Sequence, residues 1–362
     1  MAASKIVQQY HFKKALQYGL MFQAFALVFY LAHAVLVSPE KAFSLPFDER
    51  FFGAGAFGFV AGLIDEFYLR QNMWKMQFAK ALLLKTLAFA FLIAVGAAVF
   101  QGIELLLSDK ASWIEGNEMR YVRHTFQVFG FFALVSLLSI SAIQIGRYVG
   151  KGRLMYFLTG KYEHPAWEEN ILMFVDLKAS TTIADSLNSN HYSEFLKDYI
   201  EDLSEPIYMF QGNIHQYVGD EIIVYWPTSK SKRANARPLH CFVGMMEVIK
   251  ERATYYHEKY GVLPEFKGGL HGGQMIVTEV GAMKKEIAFH GTVVNTTSRI
   301  QQKCNELNTN FLISDYILTH TELTPMYVPF REGSFLLKGK TEPMELYSVE
   351  KAENAWRRGV RS

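Results

Sequence analysis

The stretch Ile214–Trp226, IHQYVGDEIIVYW, decides how the C-terminal half of this chain folds. It predicts two short strands, Ile214–Val218 and Ile222–Trp226, joined by Gly219-Asp220-Glu221. A Gly-Asp turn between apolar strands is a hairpin signal. Strand alternation puts His215 on the opposite face from Gln216. Asp220 then reads in two ways, as a turn residue or as a metal ligand. In the second case Gln216, four positions earlier on the incoming strand, needs its own explanation.

Working outward, ILMFVDL (Ile171–Leu177) is a continuous apolar run that fits a buried strand and ends in Asp176. KASTTIADSL then opens a helix, with Ser180, Thr181 and Thr182 as N-terminal capping residues. A longer helix is predicted over His191–Phe210, and another from about Arg233 to Tyr260 beyond the hairpin. Further strands fit Glu265–His271, Gln274–Val280 and Glu286–His290, a helix fits Val294–Cys304, and a last hairpin covers about Tyr327–Val349. Strand, helix, hairpin, helix, strand is a ferredoxin-like α+β arrangement rather than a doubly wound one.

The chain has 362 residues and a formal net charge of +2, which allows two domains and gives no argument for nucleic acid as a partner. Charge is sparse up to about Tyr148 and dense afterwards. Cys241 and Cys304 lie in no ligand spacing, which argues against a disulfide scaffold and a zinc site. The N-terminal apolar run is too long for a cleavable signal peptide. Four apolar stretches, near Leu16–Val37, Phe51–Leu69, Ala79–Leu107 and Thr125–Tyr148, each fit a bilayer span of about 20 residues. The second carries Gly53, Gly55, Gly58 and Gly62, which let another helix approach closely. Lys5, Lys13, Lys14, Arg70, Lys75, Lys80, Arg147, Lys151 and Arg153 fall on one side, so both termini face the cytoplasm. His33, Asp65, Glu66 and Glu104 lie in or near the spans; Asp65, Glu66 and Glu104 sit close to predicted ends and read as interfacial. The expected organisation is an all-α transmembrane bundle (1–143), a juxtamembrane coupling helix (144–166) ended by Gly160 and Pro165, and a soluble domain (167–362). The basic face of the coupling helix suits acidic lipid headgroups.

The chemistry lies in the soluble half. A carboxylate at the end of a buried strand, followed by a helix N-terminus, can hold a cation and an anion together. The amides of Leu177, Lys178, Ala179, Ser180 and Thr181 would face phosphate. If the strands bearing Asp176 and Asp220 are neighbours, their carboxylates converge, and hard oxygen ligands suit Mg²⁺ or Mn²⁺. Singly, Asp176 also reads as a helix cap and Arg299 as a solvated charge.

The segments FVDLKASTT, GNIHQYVGDE, GTVVNTTSR and LKGK occur in that order between about Asn170 and Glu350. Together they resemble the class III nucleotidyl cyclase catalytic domain, and LTGKYEHP resembles the transducing element of membrane-bound members. The resemblance implies a bacterial inner-membrane cyclase with its catalytic domain in the cytoplasm. Asp176 and Asp220, with Leu177, match the metal site for two ions. Asn295 would orient the ribose and Arg299 would stabilise charge on the α-phosphate. Lys338 matches the lysine for the terminal phosphates, with Lys340 as the alternative. In this family the aspartates and the Asn/Arg pair of one site come from different subunits, which implies a homodimer. The two base-reading positions hold Gln216 and Ala288, where adenylyl and guanylyl cyclases carry other residues. An alanine reads no base edge, and a glutamine amide can donate or accept by turning over. The resemblance favours ATP over GTP. A guanylate cyclase, a degenerate nucleotide-binding or dimerising module, and a four-helix transport protein are the alternatives.

Overall fold

The computed structural model describes residues 159–352 without interruption, together with Tyr156, Phe157 and scattered helical positions between Phe12 and Ser141. It divides into two compact units, Met1–Val149 and Gly150–Ser362. The division falls inside the expected coupling segment, 144–166.

The four expected spans lie largely outside the described residues. Among the described residues no helix is long and apolar enough to cross a membrane. Those described in the first unit are all helical. A Cβ built on Gly62 would stand 2.8 Å from Ala15 Cα and from Tyr18 Cβ, so two backbones meet there without a side chain between them. Phe12 and Phe59 meet edge to face, 5.3 Å between ring centres. Leu20, Leu83, Leu87, Phe91 and Leu134 stand exposed.

In the second unit β1 (Ala166–Leu177) is followed by α1 (Ser180–Ser186), α2 (Ser189–Met209), β2 (Asn213–Val218) and β3 (Glu221–Pro227). A 3₁₀ turn (Ala234–Ala236), α3 (Arg237–Glu251), α4 (Ala253–Tyr260), β4 (Phe266–Val280) and β5 (Glu286–His290) come next. The chain then forms α5 (Thr292–Glu306), β6 (Phe311–Ser314), α6 (Asp315–His320), β7 (Tyr327–Phe335) and β8 (Met344–Lys351). The sheet runs β2-β3-β1-β4-β6-β8-β7, with β5 paired to the outer part of β4. The β2–β3, β3–β1 and β1–β4 pairings are antiparallel and β4–β6 is parallel. The four-strand centre thus has the split βαβ order expected from the sequence, inside a mixed sheet.

Ile171–Val175 is buried on both faces, which explains why it reads as an unbroken apolar run. One face carries the larger core. Ile171, Met173 and Val175 of β1 meet Ile222, Val224 and Trp226 of β3 and a helical layer from α2, α3 and α4. On α2 the apolar residues Phe195, Tyr199, Leu203 and Ile207 recur every fourth position and form one stripe. Asn188 caps that helix by accepting from His191 N at 2.9 Å. The next row, Asp198 and Asp202, is captured by α4. Asp198 accepts from Tyr255, Tyr260 and Lys259, which hold its carboxyl down at about 2 against burial. Asp202 bonds Tyr256 and Arg252.

The other face is thinner. Leu172, Phe174, Ile223, Met275 and Val277 pack under Tyr162 and Val293, and α5 adds Ile300 and Cys304 over Leu312 and Leu346. Tyr162 belongs to the segment leading into β1. Its hydroxyl donates to Glu168 Oε1 at 2.7 Å, and its carbonyl accepts from Glu279 N at 2.7 Å.

Several local expectations are corrected. Ser180, Thr181 and Thr182 do not cap α1: the cap is Ala179, in the left-handed conformation (φ 52°), with no side-chain bond. The expected helix 233–260 breaks at Arg252, where the guanidinium turns to Asp202 and lies over the Tyr255 ring. The two strands expected over 265–280 are one strand, because β1 pairs with it continuously from Phe266 to Val277. β6 and α6 were not expected.

Candidate active site

β1 carries Asp176 at its penultimate position, and the β2–β3 turn carries Asp220. Gly219, at φ 63°, makes that turn tight. Because β1 and β3 are neighbours, with Val175 opposite Ile222, both carboxylates come to one end of the sheet. Burial pushes the Asp176 carboxyl up, and the Asp220 charge pushes it further. Glu221, which follows Asp220 and opens β3, belongs with them: burial, then Asp176 and Asp220, raise its carboxyl to about 7. The Tyr199 hydroxyl is buried without a hydrogen-bond partner; burial, and then both aspartates, push it up. Among the described residues no three His, Cys, Asp or Glu side chains form a ready-made metal shell. Two neighbouring carboxylates fit an ion such as Mg²⁺ that completes its shell from substrate phosphates, and they do not fit a closed all-protein site.

Two groups absent from the sequence reading hold Asp176. Lys267 Nζ lies 3.3 Å from Asp176 Oδ2, with its side chain 9% exposed. Gln301 Nε2 donates to the same oxygen at 3.0 Å. Lys267 also donates to Asn305 Oδ1 at 3.1 Å. Lys267 reaches Asp176 because the β1–β4 register sets the two residues opposite each other. Gln301 reaches it because α5 lies flush on β4: a Cβ on Gly269 would stand 2.4 Å from Gln301 N. A glycine at 269 is the one local signal of that approach.

The turn after β1 differs from expectation. The Lys178 amide already donates to Glu265 O at 2.7 Å and its ammonium to Asn310, so neither is free for phosphate. Leu177 is buried, Ala179 and Thr181 are exposed, and Ser180 is half-buried.

Asn295 is exposed and Arg299 half-buried on α5, one turn apart. The Arg299 guanidinium lies against the Lys338-Gly339-Lys340 turn, its Nη2 3.4 Å from a Cβ built on Gly339. Lys338 is exposed. The Lys340 charge is felt at the buried His271: burial, and then that charge, push the imidazole down to about 4. Among the described residues no hydrogen bond or ion pair joins Asn295, Arg299 or Lys338 to Asp176 or Asp220. Within one chain the two carboxylates and the Asn295, Arg299 and Lys338 group are thus not bonded directly to each other.

The hairpin departs from strict alternation. β2 and β3 slip register between Ile214 and Gln216, so Gln216 lies opposite Ile223 and His215 is the extra residue of a bulge. His215 then stacks on Phe289, 4.1 Å between ring centres, rather than pointing away from Gln216. Gln216 is exposed and shares the face of Ile223 and Phe174. Ala288 lies opposite Thr278, whereas Ile287 and Phe289 join the thin-face cluster. The registers of one chain do not bring Ala288 beside Gln216.

The family model for the adenylate and guanylate cyclase catalytic domain matches residues 163–351, the whole of this sheet and its helices. The chain belongs to that family. The cyclase domain is 29% identical over 211 residues to adenylate cyclase 2 of Rhizobium meliloti (strain 1021), covering 58% of each chain. It is 25% identical over 190 residues to adenylate cyclase 1 of the same organism, covering 51% of this chain and 28% of that one. The match thus spans little over half the length of the first relative and about a quarter of the second. A bacterial light-regulated adenylyl cyclase shares the fold at TM-score 0.51 and 16% identity, over 62% of this chain and 66% of that one.

Proposed function

We propose that this protein is a membrane-anchored adenylate cyclase that converts ATP to cyclic AMP and pyrophosphate in a homodimer. The observation that carries the reading is the pairing of Asp176 and Asp220 at one end of the sheet of a cyclase-family domain. The choice of ATP rests on the names of curated relatives, among them the two adenylate cyclases above. Membrane anchoring, in a bacterial inner membrane with the catalytic domain in the cytoplasm, rests on the four apolar stretches and the side on which Lys and Arg fall.

Asp176 and Asp220 would hold two Mg²⁺ or Mn²⁺ ions, which supply activation of the ribose 3′-hydroxyl and charge neutralisation at the phosphates. Asn295 orients the ribose, and Arg299 faces the charge that develops on the α-phosphate. Lys338 binds the leaving pyrophosphate, with Lys340 as the alternative. Such chemistry needs positioning and electrostatics rather than covalent help. The homodimer rests on the family resemblance: in it Asp176 and Asp220 of one protomer would meet Asn295, Arg299 and Lys338 of the other.

A second reading, GTP as an alternative substrate, is favoured by Gln216 and Ala288. Neither side chain forces a choice of purine, so discrimination between ATP and GTP is weak. The test is the full chain in detergent with ATP or GTP and Mn²⁺ or Mg²⁺, assayed for cyclic nucleotide, with Asp220→Ala as control. Cyclic AMP from wild type and none from the variant is the expected result. No product under any condition supports a nucleotide-binding signalling module instead, and product from Asp220→Ala overturns the metal assignment.

A further inference from the structure

The geometry points to Lys267 as a resident counter-ion of the carboxylate cluster, a fixed ammonium against which a divalent cation must bind. The inference rests on the metal reading of Asp176 and Asp220. Three carboxylates gather at one end of the sheet: Glu221 feels Asp176 and Asp220, and Asp176 feels Asp220. Lys267 is the cation that both Asp176 and Glu221 feel. It is not a mobile surface lysine: its side chain is 9% exposed, its Cα is set opposite Asp176 by the β1–β4 register, and Asn305 Oδ1 holds its ammonium at 3.1 Å.

The contacts divide the work of the Asp176 carboxylate. Oδ2 takes both the Lys267 ammonium and the Gln301 amide. That leaves Oδ1 for a cation, and the carboxylate plane is set before any cation arrives. A buried ammonium cannot leave when the cation enters, because its stem is enclosed and its departure would strand an unpaired charge. The cation therefore binds against a like charge a few ångströms away. Lys267 holds the empty site together and lowers its affinity for divalent ions, so occupancy follows the metal–nucleotide complex, whose phosphates bring further negative charge, rather than the free ion.

The test is a Mn²⁺ titration of the full-length chain in detergent without nucleotide, with free Mn²⁺ read by electron paramagnetic resonance. Asp176→Asn should abolish tight binding; if it does not, the metal reading itself falls. Lys267→Met should tighten Mn²⁺ binding by about tenfold or more, the direction Coulomb's law requires on removal of a nearby positive charge. Lys267→Arg, which keeps the charge, should stay within about twofold of wild type. Lys267→Gln keeps a donor for Asp176 and folds where the methionine fails, and it should tighten binding as Met does. The metal-free neutral variants should melt below wild type, with a larger rise in melting temperature on adding Mn²⁺. Neutral variants that bind Mn²⁺ as wild type does, or more weakly, while Asp176→Asn abolishes binding, overturn the counter-ion role alone.

Discussion

The two faces of the cyclase sheet are built on different principles. One carries α2, α3 and α4 over a wide apolar core in which Tyr199, Phe195, Phe242 and Tyr256 are fully enclosed. The other is covered by α5 and the Tyr162 joint, and it holds polar groups in places a stability argument would not choose: Lys267 buried beside Asp176, and a buried His271 bonded to Ser314. The thick face makes the fold; the thin face bears exposed polar groups, Asn295, Lys338 and Gln216. Stability and function are thus largely separated across one layer of strands.

That separation can be broken deliberately, and the largest effect should come from the thick face. Phe242 stacks on Phe311 at 4.0 Å and is 1% exposed. Phe242→Ala should cost about 3–5 kcal/mol of stability, measured by denaturant unfolding, while folded enzyme keeps its KM for nucleotide. The same truncation changing KM at constant folded fraction would merge the two faces.

Next comes a pH effect on the thin face. His271 is buried as the neutral imidazole, its value pushed down from 6.5 to about 4. As pH falls below about 6.5 the unfolded chain takes up a proton that the folded chain refuses. Stability is therefore present above that pH and is lost progressively down to about 4, by roughly 3 kcal/mol at most. Melting curves at pH 7 and pH 4.5 should show a larger drop for wild type than for His271→Gln.

Gly269→Ala should cost about 1–3 kcal/mol by overpacking. Its signature is functional: lifting α5 off β4 moves Gln301 away from Asp176, so kcat should fall further than the folded fraction does. The smallest effect is expected at Gln216. Gln216→Glu should leave stability unchanged within about 0.5 kcal/mol and shift the ratio of catalytic efficiencies toward GTP. An unchanged ratio removes Gln216 from the base pocket.

What was legible in the sequence follows from the range over which each feature is determined. The β2–β3 turn needs only Gly219 and its apolar flanks, and β1 needs only its own apolar run. The bulge at His215 was not legible, because one register slip depends on Ile223 and Val224 across the hairpin and on the ring of Phe289. Capping of α1 by hydroxyls failed for a local reason: a left-handed Ala179 turns the chain before Ser180 can act as a cap. β4 looked broken at Gly272-Gly273, where glycines usually weaken a strand; there the Tyr316 ring occupies the space a side chain on Gly272 would need. The supports of Asp176 were the least visible. Lys267 and Gln301 stand 91 and 125 residues away, and only sheet register and helix docking bring them in.

The missing side chain at Gly269 also has a mechanical meaning. Most helices rest on a sheet through interdigitated side chains, a layer that can shear by rotamer changes. At this point α5 rests on β4 through its own backbone, with no such layer between them. The helix bearing Asn295 and Arg299 cannot slide over the strand bearing Lys267; the two travel as one rigid piece. Any displacement of Asn295 and Arg299 therefore carries the strand bearing Lys267 with it.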